Sequence, residues 1–124
     1  MSKVKQNLGN HGEQIAADYL VTKGYIILQR NYRAKNQGEV PIICIHPHRK
    51  TVVFVEVRTI IGKAFKKPEE AITKTKLNKL KKMIGHYYNS LPQTKTSSQI
   101  DAVAVILTKS QDVDSLEHFE NITL

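Results

Sequence analysis

The run Thr51-Val52-Val53-Phe54-Val55-Glu56-Val57-Arg58 decides the fold of this chain. Successive side chains of a strand point to opposite faces, and Val52 to Val55 are apolar on both. Such a strand is buried on two sides and belongs at the centre of a sheet. Glu56 then interrupts the apolar run, and residues 54, 56 and 58 share one face. A carboxylate and a guanidinium thus emerge side by side from the middle of the protein. Burying them is costly unless they pair with each other or meet a metal ion and an anion. A structural ion pair at the strand end and a functional site both fit Glu56 at this point.

The neighbouring elements follow from the same patterning. Before the central strand, His46-Pro47-His48-Arg49-Lys50 is a turn, Val40 to Ile45 a strand interrupted by Pro41, and Asn36-Gln37-Gly38 another turn. Tyr25-Ile26-Ile27-Leu28 opens an earlier strand that runs to about Tyr32. Turns this short join antiparallel strands, so the three form a meander. Upstream, Leu8, Ile15, Ala16, Tyr19 and Leu20 share a helical face. Asn10 caps that helix, Glu13 completes a capping box, and Gly24 ends it in the left-handed conformation. Downstream, a loop holding Gly62 and Pro68 leads to a helix over 69–90. Its buried stripe is Leu77, Leu80, Ile84, Tyr87 and Leu91, with Thr75, Asn78, Lys79 and Lys82 opposite. A buried strand over 100–107 and a weaker one over 116–122 complete the order α-β-β-β-α-β with a last β. The second helix crosses over to a parallel strand, which makes an α/β sandwich.

The chain has 124 residues, room for one domain spanning 1–124. It is 40% hydrophobic and 24% charged, as soluble globular proteins are. No apolar run reaches the roughly 18 residues of a membrane span. The start of the chain has no apolar segment behind its charges, so it does not read as a secretory signal. Cys44 stands alone in an apolar stretch, which fits a buried thiol in a reducing cytoplasm. The net charge is +8, and its distribution is uneven. Residues 1–62 carry +5, residues 63–82 carry +6, and residues 83–124 carry −3. A polyanion would be drawn to the lysine-dense segment. A solubilising face would have the same composition.

Other chemistry-bearing residues are few. Glu39 follows Gly38 at the mouth of the strand beside the central one, and Glu13 opens the first helix. With Glu56 they could gather around a hard cation such as Mg²⁺. Taken singly, Glu13 is a capping residue and Glu39 a solvated turn residue. His46 and His48 flank Pro47 in a turn and have no partners at metal-ligand spacing. Tyr87-Tyr88 is half core and half surface. No Gly-rich phosphate loop, Ser/His/Asp arrangement or Cys cluster occurs.

An ordered series of short motifs carries a resemblance. They are Gly9-Asn10-His11-Gly12-Glu13, Tyr19-Leu20, Gly24-Tyr25, Arg30-Asn31-Tyr32-Arg33, Gly38-Glu39-Val40, Phe54-Val55-Glu56-Val57-Arg58, Thr73 to Lys76, Ile100-Asp101-Ala102-Val103 and Glu117-His118. The series resembles the YraN-like family of uncharacterised bacterial proteins, over residues 7–121. That family is similar to Holliday-junction resolvases among the PD-(D/E)XK nucleases. The resemblance implies a restriction-endonuclease-like αβββαβ core, a mixed central sheet flanked by helices. It also implies DNA ahead of RNA as ligand, and a homodimer, since related resolvases act as dimers.

The family's second-strand pattern is Gly-Glu-Ile-Asp-Leu-Ile, and here it is Gly38-Glu39-Val40-Pro41-Ile42-Ile43. Pro41 stands where the metal-binding aspartate is expected. Arg58 stands where the Glu-Val-Lys pattern has its catalytic lysine. Glu56 matches the second metal carboxylate, Glu13 the helix acid, and Lys76 a lysine on the second helix. Such enzymes hold Mg²⁺ between an Asp, a Glu and a phosphate oxygen, and the metal activates water. Pro41 has no ligand atom, and Arg58 stays charged, so it can clamp phosphate but not accept a proton. Any metal would rest weakly on Glu56 alone. The leading expectation is a nucleic-acid-binding protein with a degraded metal site. Lys74, Lys76, Lys79 and Lys82 and the 63–67 lysines would hold phosphates, and Glu13, Glu56 and Arg58 would mark the old active-site pocket. The alternatives are a Mg²⁺-dependent nuclease using Glu13, Glu39 and Glu56, and a non-catalytic structural or adaptor domain.

Overall fold

The computed structural model describes residues 3–34, 38–63, 68–89 and 97–122. Helix α1 (Lys3–Thr22) is followed by strands β1 (Ile26–Ala34), β2 (Gly38–Ile45) and β3 (Thr51–Ile61), a short helix α2 (Pro68–Ala71), helix α3 (Lys74–Asn89), and strands β4 (Ser97–Leu107) and β5 (Val113–Phe119). The sheet order is β1-β2-β3-β4-β5. All neighbours are antiparallel except β3 and β4, which run parallel with Thr51 opposite Ser97 and Ile61 opposite Leu107. The αβββαβ order and the mixed sheet expected from sequence are both present.

The sheet separates two apolar cores, as its alternating side chains require. One face packs Phe54, Val52 and Ile100 against Leu77, Leu80, Met83 and Tyr87 of α3. The other packs Val53, Val55, Val103 and Val105 against Ala16, Ala17 and Leu20 of α1. β3 is buried from Thr51 to Val57, as a central strand must be.

Three local expectations need correction. The first helix does not begin at Asn10. It starts seven residues earlier, at Lys3, so Asn10 is no cap and Glu13 is no capping-box acid. The feature that governs this stretch is Gly12. A Cβ there would lie 1.8 Å from Thr59 Oγ1, so only glycine lets α1 approach β3 this closely. The helix over 69–90 is broken in two. Thr73 Oγ1 accepts the Lys76 N–H at 3.2 Å and caps α3, while Ala71 and Ile72 drop into the core. Finally, the alternation of faces expected along the strand over Val40 to Ile45 breaks. Ile42 belongs to the α1-side core, yet Val40, two residues earlier, belongs to the α3-side core. The switch sits where the β1–β2 register passes over Asn31 and Pro41, between the pairs Arg30–Ile42 and Tyr32–Val40. Asn31 has φ 54° and Pro41 has no N–H to donate, so the ladder yields there and both strands turn. β2–β3 pairing also stops at Ile42, one residue short of the position opposite Glu56. Beyond the turn, Tyr32 packs edge-on to Tyr87 of α3 at 5.4 Å.

The expected end of the first helix is present. Gly24 has φ 95°, Tyr25 N–H reaches Leu20 O at 2.9 Å, and Gly24 N–H reaches Val21 O at 3.0 Å, a Schellman cap. At the far edge of the sheet, Asp101 is fully buried. It accepts hydrogen bonds from Gln99 Nε2 (2.8 Å), His118 Nε2 (2.7 Å) and the Asn121 N–H (2.9 Å). His118 Nδ1 lies 3.1 Å from the Tyr19 hydroxyl, so this network ties β4, β5 and α1 together. Cys44 is buried, and burial pushes its thiol up to about 12. Among the described residues, no helix is long and apolar enough to cross a membrane.

Candidate functional site

The strand turn at Asn31 and Pro41 and the helix break at Thr73 open one cleft beside the second half of β3. Its volume is about 540 Å³. Glu13, Glu39, Glu56, Arg33, Arg58 and Lys76 supply its charged groups. The four residues expected at a catalytic pocket, Glu13, Glu39, Glu56 and Arg58, therefore come together from α1, β2 and β3. Lys76 joins them from the first turn of α3. Thr73 sets that position, because its cap fixes where α3 begins.

Glu56 forms the floor. It is 4% exposed. Its Oε1 accepts the Val57 N–H at 3.0 Å. Lys76 Nζ lies 3.1 Å from its Oε2. This buried oxygen is therefore held by the Lys76 ammonium. Burial raises the Glu56 carboxyl above the usual carboxylate range, and Lys76 opposes the shift without cancelling it. The Glu13 carboxyl is raised as well. Burial is the largest cause and the charge of Glu39 comes next; Glu56 adds to it, while Arg30 and Lys76 oppose it. Glu39 is held by Arg33, its cross-strand partner, at 3.3 Å.

These residues do not fit a resident metal ion as they stand. Among the described residues, no group of three or more His, Cys, Asp or Glu side chains could hold one. Pro41 offers no ligand atom, Glu39 faces Arg33, and Glu56 Oε2 faces the Lys76 ammonium. Among the described residues, three carboxylates and three cations instead balance inside the cleft, and further positive charge lies outside it.

That charge is on α3, which carries five lysines and no carboxylate. Lys74, Lys79, Lys81 and Lys82 are exposed. Lys79 reaches a smaller recess of about 80 Å³ that it shares with Gly38, Glu39 and Lys76, so the lysine row abuts the cleft. Lys74 and Lys82 do not line the cleft. Lys63 is exposed, whereas Lys66 and Lys67 lie outside the described residues. His46 stays in its turn, with Nε2 3.6 Å from Glu120.

Reading the residues alone passed over Arg33, Asn31 and Thr73. Thr73 carried a usable signal, an N-cap residue directly before a lysine-rich helix. Arg33 and Asn31 carried none, because their entry into the cleft depends on the strand turn.

A protein-family model described as "Uncharacterised protein family UPF0102" matches residues 12–105. The chain belongs to this family. A UPF0102 protein of Desulforamulus reducens is 37% identical over 122 residues, covering 98% of both chains. Another, from Thermodesulfovibrio yellowstonii, is 38% identical over 114 residues, covering 92% of this chain and 93% of its own. A third, from Syntrophomonas wolfei, is 38% identical over 104 residues, covering 84% and 88%. The matched span holds the cleft carboxylates, Arg33, Arg58 and all of α3, so this UPF0102 protein shares the site-bearing part of its chain with its family.

Proposed function

We propose that this UPF0102 protein binds nucleic acid through its phosphate backbone and does not cleave it. The observation that carries the reading is Lys76 seated on buried Glu56 at the floor of the cleft, at the head of a lysine row free of carboxylates. Arg33 and Arg58 at the walls have the planar fork that clamps phosphate. An incoming phosphate takes over these cations from Glu39 and Glu56. DNA is the first ligand to test, because the family that the motif series resembles is similar to Holliday-junction resolvases.

The experiment is binding of a blunt duplex and a four-way junction between 50 and 200 mM salt, without added metal. Four lysine contacts predict a loss of about 100-fold over that range. Charge reversal at Lys76 and Lys79 should weaken all sequences alike, because phosphate contacts do not read bases. Affinity that stays flat with salt overturns the proposal in favour of an adaptor domain. Mg²⁺- or Mn²⁺-dependent nicking that disappears in Glu56→Ala overturns it in favour of a nuclease.

A further inference from the structure

A second cavity of about 320 Å³ adjoins the first. Leu8, Gly9, Glu13, Val57, Arg58 and Thr59 line it, and four of these, Gly9, Glu13, Val57 and Arg58, also line the first cavity. The partition between the two is thus one carboxylate, one guanidinium, a valine and a glycine without a side chain. Among the described residues no lysine lines the second cavity, and Leu8 and Val57 give it apolar walls. A phosphate suits the first cavity, and a flat, mostly apolar ring suits the second.

We infer that the paired cavities take one unpaired nucleotide, with its phosphate on Arg58 and Lys76 and its base in the second cavity, where Glu13 accepts a hydrogen bond from an exocyclic amino group. The inference rests on the proposed nucleic-acid binding and names the form of ligand. A base within a duplex cannot enter, because its ring is stacked and its edge is paired, whereas an unstacked base presents both. A carboxylate accepts from the amino group of cytosine, and adenine carries a similar donor. Thymine has no amino group and offers only its ring N3–H, set back from where an exocyclic amino group reaches. Glu13 is therefore the specificity residue and Arg58 the hinge between backbone and base. Gly9 borders both cavities, and a Cβ there would meet nothing within 4 Å, so a side chain can be added there to test the passage.

The experiment measures binding of oligo-dC, oligo-dA, oligo-dT and a blunt duplex of equal length, at one low salt concentration. Oligo-dC and oligo-dA should bind about fivefold or more tighter than oligo-dT. Glu13→Gln should shrink that preference at least threefold, since its amide can turn its own donor toward the base. Gly9→Leu should lower the ratio of single-strand to duplex affinity about tenfold, with circular dichroism and the melting midpoint reporting an intact fold. Equal binding of dC and dT, or a single-strand to duplex ratio unmoved by Gly9→Leu, overturns the inference. If neither duplex nor single strand binds, the proposed function fails as well. If the duplex alone binds in a salt-dependent way, only the nucleotide pocket fails.

Discussion

At the scale of single residues, the cleft and the far edge of the sheet handle charge in opposite ways. Asp101 is fully buried but has three donors aimed at it, so its desolvation is offset by hydrogen bonds. Asp101→Ala should cost about 3–5 kcal/mol, because it strands His118, Gln99 and a backbone N–H at once; urea denaturation measures the loss. Glu13 lies in a less supportive setting. Its folded-state value is raised above the ordinary 4.5, so the folded chain holds that proton more tightly than the unfolded chain does. Stability therefore falls as pH rises from 4.5 through the raised value, and this group has no effect well below 4.5. Glu13→Gln should raise the melting midpoint by about 2–4 °C at pH 7 and by nothing at pH 3.5, as thermal scans at the two values will show. Glu56→Gln removes the partner of Lys76 and a negative charge from the floor. Nucleic-acid affinity at neutral pH should rise about three- to tenfold, measured by titration of the variant beside the parent.

At the scale of elements, the site depends on how closely α1 lies on β3. Gly12 meets Thr59, and one turn of helix away Gly9 opens between the two cavities, while Glu13 reaches toward the sheet. Gly12→Ala would improve helix propensity in isolation, by about 1 kcal/mol. Here it should destabilise by about 1–3 kcal/mol, because the new methyl forces the helix off the strand. Thr59→Ala in the same chain should return part of the loss, and a double-mutant cycle measures how much. The β1–β2 arm is shaped just as locally. Asn31 in the left-handed region and Pro41 opposite it turn the arm so that Tyr32 meets α3 and Arg33 and Glu39 meet the cleft. Asn tolerates that conformation better than most residues, so Asn31→Gly should be neutral or slightly stabilising, whereas Asn31→Val should cost about 1–3 kcal/mol; denaturation of the two variants checks this.

At the scale of the whole molecule, charge and shape divide the labour. Among the described residues the interior of the cleft is balanced, and further positive charge lies along α3. Approach of a polyanion is therefore steered by the helix, and its seating is decided by the cleft. Lys74→Glu with Lys82→Glu, outside the cleft, should slow association and flatten the salt dependence by about two contacts' worth of slope, leaving dissociation little changed; stopped-flow mixing separates the two rates. The fold was legible because it follows from periodicity. β3 is apolar on both faces, short turns separate the strands before it, and the stripe of Leu77, Leu80 and Tyr87 recurs at helical steps, so the order of strands and main helices was determined by sequence alone. The carboxylates of the site were legible for a related reason: Glu56 is conspicuous only because everything around it is apolar. The tertiary structure alone decided what those carboxylates face. That Lys76 sits on Glu56, that Arg33 holds Glu39, and that Glu13 borders two cavities all follow from the break at Thr73, the turn at Asn31 and Pro41, and the Gly12–Thr59 contact. The Lys76–Glu56 pair and the Gly12–Thr59 contact join residues far apart in the chain, and no local period encodes a distance of that kind.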